Sequence, residues 1–221
     1  MDIELTTRLE PSLVPAYLQL EFEASAPYYD FVYQDESEAR RAQMILWNAR
    51  AGEWTPPHGH AIMLGGQFVG LIGGIMAAEL KRVRLGATLA LGRAGVLSED
   101  RARRMQKAAK AFVQPEGDDF YYGQVGITAA VRKSGMIVDL FELIRGYAEA
   151  CGARRCVFQA DADSPRLIAF YERTEHERIG EGEATDPSTG RRLNYVHFAM
   201  DLAKWRRSRD SGEIMPAPLA S

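Results

Sequence analysis

The stretch from Phe120 to Tyr171 limits what this chain can fold into more than any other part. It opens with a strand-like run, Phe120-Tyr-Tyr-Gly-Gln-Val-Gly-Ile-Thr-Ala-Ala130, and passes through a short basic turn, Val131-Arg-Lys-Ser-Gly-Met136. A helix follows from Ser134 to Cys151, with Ile137, Leu140, Phe141, Ile144 and Ala148 on one stripe and Gly152 as its stop. A second strand, Arg155-Cys-Val-Phe-Gln-Ala160, leads into a capped helix, Ser164-Pro-Arg-Leu-Ile-Ala-Phe-Tyr171. Strand, helix and strand in this order demand a right-handed crossover to a neighbouring parallel strand. Period-two alternation predicts Tyr121, Val125, Ile127 and Ala129 on one face of the first strand, and Tyr122, Gln124 and Thr128 on the other. The first turn of a helix has unpaired N–H groups and a partial positive charge, so this strand, basic turn and helix make an anion site. A phosphate-bearing ligand is the first expectation, with Tyr171 placed for chemistry beside it.

The flanking sequence supplies a sheet and its cover. Ile3 to Leu9 reads as a strand, and Pro11 and Pro15 bracket the start of a helix that runs through Glu23. Ala24 to Tyr33 reads as irregular and aromatic, and a strong helix follows with Ser37 as its N-cap. Gly52 to His60 is a loop, and Ala61–Leu64 with Phe68–Ile75 form a hairpin about Gly65-Gly66. Residues 79–113 are a helical insertion whose surer helix is capped by Ser98 and carries Arg101, Arg103, Arg104, Lys107 and Lys110. That basic face is either solvated or a wall over an anionic ligand. Glu177–Gly182 and Leu193–Leu202 read as an antiparallel pair about the Asp186–Gly190 turn, followed by a frayed tail over 203–221. The prediction is an α/β fold: a mixed, mostly antiparallel sheet of about seven strands with helices on both faces, in one domain over 1–202.

Composition removes several classes of function. With 46% hydrophobic and 26% charged residues in 221, and no apolar run long enough to span a bilayer, the chain reads as soluble with no membrane partner. Met1-Asp-Ile-Glu-Leu begins no secretory signal, so a cytoplasmic location is expected. Cys151 and Cys156 lack metal-ligand spacing and read as reduced core thiols. His58-Gly-His60 has no carboxylate or cysteine companion, and no metal is expected. A net charge of −3 argues against a nucleic-acid partner.

Two motifs resemble the Gcn5-related N-acetyltransferases. The family's acetyl-CoA signature, Gln/Arg-x-x-Gly-x-Gly/Ala, lies between its fourth strand and third helix, where this chain has Arg132-Lys-Ser-Gly135-Met-Ile137. Its next signature, Asn-x-x-Ala-x-x-Leu-Tyr followed by Gly-Phe, is matched by Ser164-Pro-Arg-Leu167-Ile-Ala-Phe170-Tyr171 and then Glu175-His176. The resemblance is specific from Gly123 to Gly180, within a core over 118–182, and architectural elsewhere. Ile137, Ser164, Leu167, Glu175 and His176 depart from the family pattern.

The resemblance implies an acyl-CoA fold in which two parallel strands splay apart and the pantetheine arm lies between them as a pseudo-strand. Main-chain groups of Ile127, Thr128 and Ala129 would pair with that arm, and Arg132, Lys133, Ser134, Gly135, Met136 and Ile137 would hold the pyrophosphate. Ser164 joins this cofactor-binding set. Tyr171 is the implied general acid for the leaving thiolate, a phenol of pKa ~10 facing a thiol of ~8.5. Glu21, Glu23, Asp30, Gln124, His58, His60 and a bound water are all left open as the base. The implied activity is direct acetyl transfer from acetyl-CoA to a primary amine of a small molecule. The alternative is a degenerate member that binds CoA as a sensor or scaffold. Tyr28, Tyr29, Phe31 and Tyr33 would stack on the acceptor, pack an irregular segment or make a homodimer contact.

Overall fold

The computed structural model describes residues 3–132, 137–174 and 176–210. Seven strands form one sheet: β1 (Ile3–Thr6), β2 (Gly59–Leu64), β3 (Gln67–Met76), β4 (Asp119–Ile127), β5 (Arg155–Asp161), β6 (Glu177–Thr185) and β7 (Arg192–Asp201). Their order is β1-β2-β3-β4-β5-β7-β6, antiparallel throughout except for the parallel pair β4/β5. Between β2 and β3, Gly65 and Gly66 have φ of 53° and 79°. Two successive positive φ values are what a two-residue hairpin turn with the twist of its strands requires.

Helices cover both faces. On one lie α1 (Val14–Ala24), α2 (Ala26–Tyr33), α3 (Glu36–Ala49), α4 (Ala77–Arg93) and α5 (Glu99–Ala111). On the other lie α7 (Ile137–Ala150), α8 (Pro165–Arg173) and α9 (Leu202–Asp210), and a single turn, α6 (Ala129–Arg132), leaves the end of β4. Leu140, Phe141, Ile144 and Ala148 of α7 are all buried, so the predicted stripe is the buried face. Each larger side chain of that stripe contributes roughly 1.5–3 kcal/mol by leaving water.

Four expectations change. Residues 26–33 form a helix, because Pro27 sits in its first turn and Tyr29, Val32 and Tyr33 fall on one buried face. Asp35, not Ser37, caps α3: its carboxylate accepts from Glu38 N at 2.9 Å, and the Ser37 hydroxyl bonds the same oxygen. Residues 203–210 of the expected tail are helical, and this helix, α9, anchors through Trp205, which is buried and donates to Glu142 Oε1 at 2.6 Å; the rest of the expected tail lies outside the described residues. Cys156 is buried as expected, whereas Cys151 is exposed at the end of α7.

The insertion between β3 and β4 becomes a two-helix roof. Ser98 caps α5, accepting from Arg101 N at 3.2 Å. The basic face is used largely for anchoring: Arg104 donates to the Val32 carbonyl at 2.8 Å, Lys107 to that of Thr185 at 3.3 Å, and Arg101 lies 4.8 Å over the Tyr33 ring. These contacts fix α5 over α2 and the β6 edge.

Close backbone packing holds the loop before β2. A Cβ on Gly59 would lie 1.9 Å from the Trp54 carbonyl oxygen, which accepts from Tyr17 Oη at 2.6 Å. Gly59→Ala is expected to lower the unfolding free energy by about 3 kcal/mol through overpacking. An unchanged urea midpoint would sink this account.

Candidate active site

β4 and β5 pair only over Asp119–Tyr121 and Arg155–Val157. Asp119 and Arg155 clamp the base of the pair with two hydrogen bonds of 2.8 and 2.9 Å. Beyond them the strands part, and a cavity of about 950 Å³ fills the wedge. Tyr122–Val125 form one wall and Phe158–Asp161 the other. On the α8 side it reaches Ser164, Leu167 and Tyr171; through the sheet it continues beneath α2, α4 and α5.

A bulge decides which side chains enter it. Gly73 pairs with Gln124 while Gly74 pairs with Tyr122, so Gly123 is the extra residue. Simple alternation therefore fails across Gly123. Phe120, Tyr122, Val125 and Ile127 pack toward α7 and α8, whereas Tyr121 packs with Ile75, Leu80 and Val83, and Gln124 reaches α1. The predicted partition, with Tyr121 beside Val125 and Tyr122 beside Gln124, is corrected by that one residue.

The bulge also sets the main-chain edge. Thr128 N–H donates to the Val69 carbonyl at 2.9 Å, and alternate residues of an antiparallel ladder bond the same neighbour. Gln124, Gly126 and Thr128 thus turn toward β3, and Val125 and Ile127 turn toward the wedge. Of the expected trio, Ile127 is on the open edge, although its carbonyl accepts from Arg132 Nε at 2.9 Å. Thr128 is committed to β3, and Ala129 starts α6. Lys133, Ser134, Gly135 and Met136, the centre of the expected phosphate turn, lie outside the described residues, as does Glu175. Ile137 is the first residue of α7, and Arg132 at the other end of the turn is exposed. Ser164 precedes α8: its carbonyl takes the N–H groups of Leu167 and Ile168 at 3.0 and 3.1 Å. Its hydroxyl makes no capping bond.

Tyr171 lines the wedge from α8, buried and edge-on to the Phe158 ring at 4.7 Å. Its hydroxyl has no hydrogen-bond partner among the described residues, and burial raises its pKa, so it is a neutral donor. Tyr122 stacks on the other side of Phe158 at 4.5 Å, and its hydroxyl is buried and unpartnered. A buried phenol without an acceptor, as at Tyr122, costs about 1–3 kcal/mol unless water or a ligand satisfies it. His176, where the family has Gly-Phe, packs edge-on against Tyr171 at 5.1 Å. Burial pushes it down to about 4, so it is a neutral ring supporting the tyrosine.

Across the sheet lies a buried carboxylate. Glu21 of α1 is fully buried and accepts from Tyr29 Oη at 2.9 and 3.0 Å, Ser25 Oγ at 3.0 Å and Gln124 Nε2 at 3.1 Å. Gln43 Nε2 of α3 bonds it as well. Among the described residues no cation pairs with it. Burial raises its pKa to about 7 against the pull of these four donors. Ser25, Tyr29 and Gln124 themselves line the cavity, so they connect Glu21 to it. The other candidate bases are less well placed. Glu23 lines the cavity but is bonded by Gln19, Asp30 is exposed and paired with Arg191, and His60 packs on Tyr147. The sequence offered no signal to separate Glu21 from Glu23. Tyr122, Glu53, Arg84 and Gln159 were missed altogether.

No protein-family model matches this sequence, and none of the curated proteins does. Solved structures match over nearly the whole chain. One described as an acetyltransferase has a TM-score of 0.58 at 14% identity, covering 91% of this chain and 100% of its own. An N-acetyltransferase from Staphylococcus aureus Mu50 gives 0.59 at 13%, covering 90% and 100%. A spermidine N-acetyltransferase chimera from Vibrio cholerae and hSSAT gives 0.54 at 9%, covering 94% and 99%. Identities this low speak for the fold alone. The strand order, the single parallel pair and its splay agree with them: this chain has the Gcn5-related N-acetyltransferase fold.

Proposed function

We propose that this protein is an acetyl-CoA-dependent N-acetyltransferase that moves an acetyl group directly to a primary amine of a small molecule. One observation carries the reading. The cavity passes through the β4/β5 wedge, with the Tyr122 and Tyr171 phenols on one side and, just behind the other, a buried carboxylate that pairs with no cation among the described residues.

The thioester would enter from the α8 side, where Ser164 and the turn from Arg132 to Ile137 are expected to hold the phosphate end. The amine would enter from beneath α2, α4 and α5, which roof the far half of the cavity and favour a small acceptor over a protein chain. As the amine nitrogen bonds to the acetyl carbon, negative charge develops on the carbonyl oxygen. The outward N–H of Val125 is the wedge donor for that charge. The amine proton would pass to Ser25 or Tyr29 while their own protons move to Glu21, whose pKa of about 7 suits a base at neutral pH. The C–S bond breaks with its electron pair on sulfur, and Tyr171 hydrogen-bonds that thiolate. Its raised pKa makes it a hydrogen-bond donor to the developing charge more than a ready source of a free proton.

The test is acetyl-CoA binding by calorimetry. Wild type is expected to bind, and Gly135→Glu, which adds a carboxylate to the expected phosphate turn, to lose binding. No binding by folded wild type would sink the proposal. Binding without turnover of any amine would favour the sensor or scaffold reading.

A further inference from the structure

Arg84 stands at the acceptor end with a donor left over. Its Nε bonds Glu53 Oε1 at 2.6 Å, and its guanidinium carbon lies 5.3 Å from the Tyr121 ring and 5.7 Å from that of Phe112. Two aromatic rings and one carboxylate thus fix a planar cation that has lost most of its freedom to seek other partners. Yet Arg84 Nη2 is buried with no hydrogen-bond partner among the described residues. Arg84 lines the cavity, and this N–H is buried in the cavity wall without an acceptor.

The surroundings complete a subsite. Tyr28 and Tyr195 also line the cavity, and neither hydroxyl has a hydrogen-bond partner among the described residues. Tyr28 lies within the electrostatic reach of Arg84, Glu53 and Tyr195. Gln159 gives its amide N–H to Tyr121 Oη at 2.9 Å and leaves Oε1 buried and unpartnered. The charges at this cavity select against most amines. Glu23, Glu53, Glu99 and Asp161 line it against Arg84 and Arg103, with Glu21 behind. That balance attracts an ammonium group and disfavours a net anion. A polyamine, however, offers Arg84 Nη2 no acceptor and adds a like charge beside it. A zwitterion satisfies both ends.

We propose that the acceptor is an aminocarboxylate: its carboxylate accepts from Arg84 Nη2 and the Tyr28 and Tyr195 hydroxyls, and its amine reaches Gln159 and Gln124 at the wedge. This rests on the acetyltransferase reading and names the substrate class for it. Trp54, Leu91, Met105 and Phe112 line the same end, so the side chain of that acceptor is apolar. Glu53 holds Arg84 in place without consuming its second donor group, which makes Glu53 a positioning residue.

The test pairs each acceptor with its decarboxylated twin: L-phenylalanine with phenethylamine, and L-leucine with isoamylamine. CoA release from acetyl-CoA is followed for wild type, Arg84→Gln and Arg84→Lys, alongside calorimetric acetyl-CoA binding. Wild type is expected to favour the amino acids on the order of 100-fold in kcat/KM, the worth of a buried hydrogen bond to a charged group. Arg84→Gln is expected to erase that preference with acetyl-CoA affinity unchanged, and Arg84→Lys to restore part of it. Equal turnover of both twins by wild type overturns the subsite while leaving the acetyltransferase standing. So does acetyl-CoA binding with no turnover of either amino acid. Absence of acetyl-CoA binding overturns the broader reading itself.

Discussion

Tyr171→Phe is expected to lower kcat roughly 100- to 1000-fold, the usual reach of a single hydrogen-bond donor aimed at developing negative charge, while acetyl-CoA affinity stays within a factor of about two. The separation follows from the surroundings of the hydroxyl. The ring does the packing, against Phe158, Phe141, His176 and Phe198, and phenylalanine keeps all of it. The hydroxyl bonds nothing among the described residues, so its removal takes away no structural hydrogen bond. Urea unfolding should therefore show the variant within about 1 kcal/mol of wild type. A variant with full kcat would remove Tyr171 from the chemistry and leave it as core.

Glu21→Gln should have the second large effect, and it reads out twice. In wild type, kcat/KM is expected to rise with pH on a limb near 7 as Glu21 ionises; the variant loses that limb and about 100-fold in rate. The second readout is stability. Glu21 has a folded pKa of about 7 against an ordinary 4.5. An acid raised in this way holds its proton in the folded chain where the unfolded chain has released it. Its contribution is complete below about pH 4.5 and is lost as pH rises to about 7, some 3 kcal/mol in all. Glutamine cannot titrate, so the variant should lack this fall and exceed wild type at pH 8. The titratable neighbours that face Glu21 are Tyr17, Tyr29 and Tyr33, all raised by burial and neutral throughout this window. A variant that keeps the pH limb shows that the proton goes elsewhere. A wild type with flat stability from pH 5 to 8 shows that the carboxylate is better solvated than its burial implies.

These outcomes also bear on what was legible beforehand. The crossover was, because the stripe of Leu140, Phe141, Ile144 and Ala148 can be buried in one way only, and the Ser98 cap and Gly65-Gly66 turn act within four residues. Tyr171 came from a motif in register, and the structure adds that its hydroxyl meets a cavity. Helix α2 was hidden by its aromatic composition, which suits a strand or loop as well as a helix until α5 packs across it. The bulge at Gly123 was hidden too, since its position is set by pairing with Gly73 and Gly74, some fifty residues away.

The order of the strands and the parallel β4/β5 pair could be read from the chain alone, because periodicity, caps and turns are local properties. What the wedge contains depended on long-range packing. Glu21 and Glu23 are alike in sequence, and one is buried beneath α2, α3 and β4 while the other faces the cavity. Arg84 and Glu53 are 31 residues apart, and neither has meaning until the insertion folds back over the loop. The charge, proton affinity and free hydrogen-bonding groups of a side chain depend on what covers it, and that cover comes from distant parts of the chain.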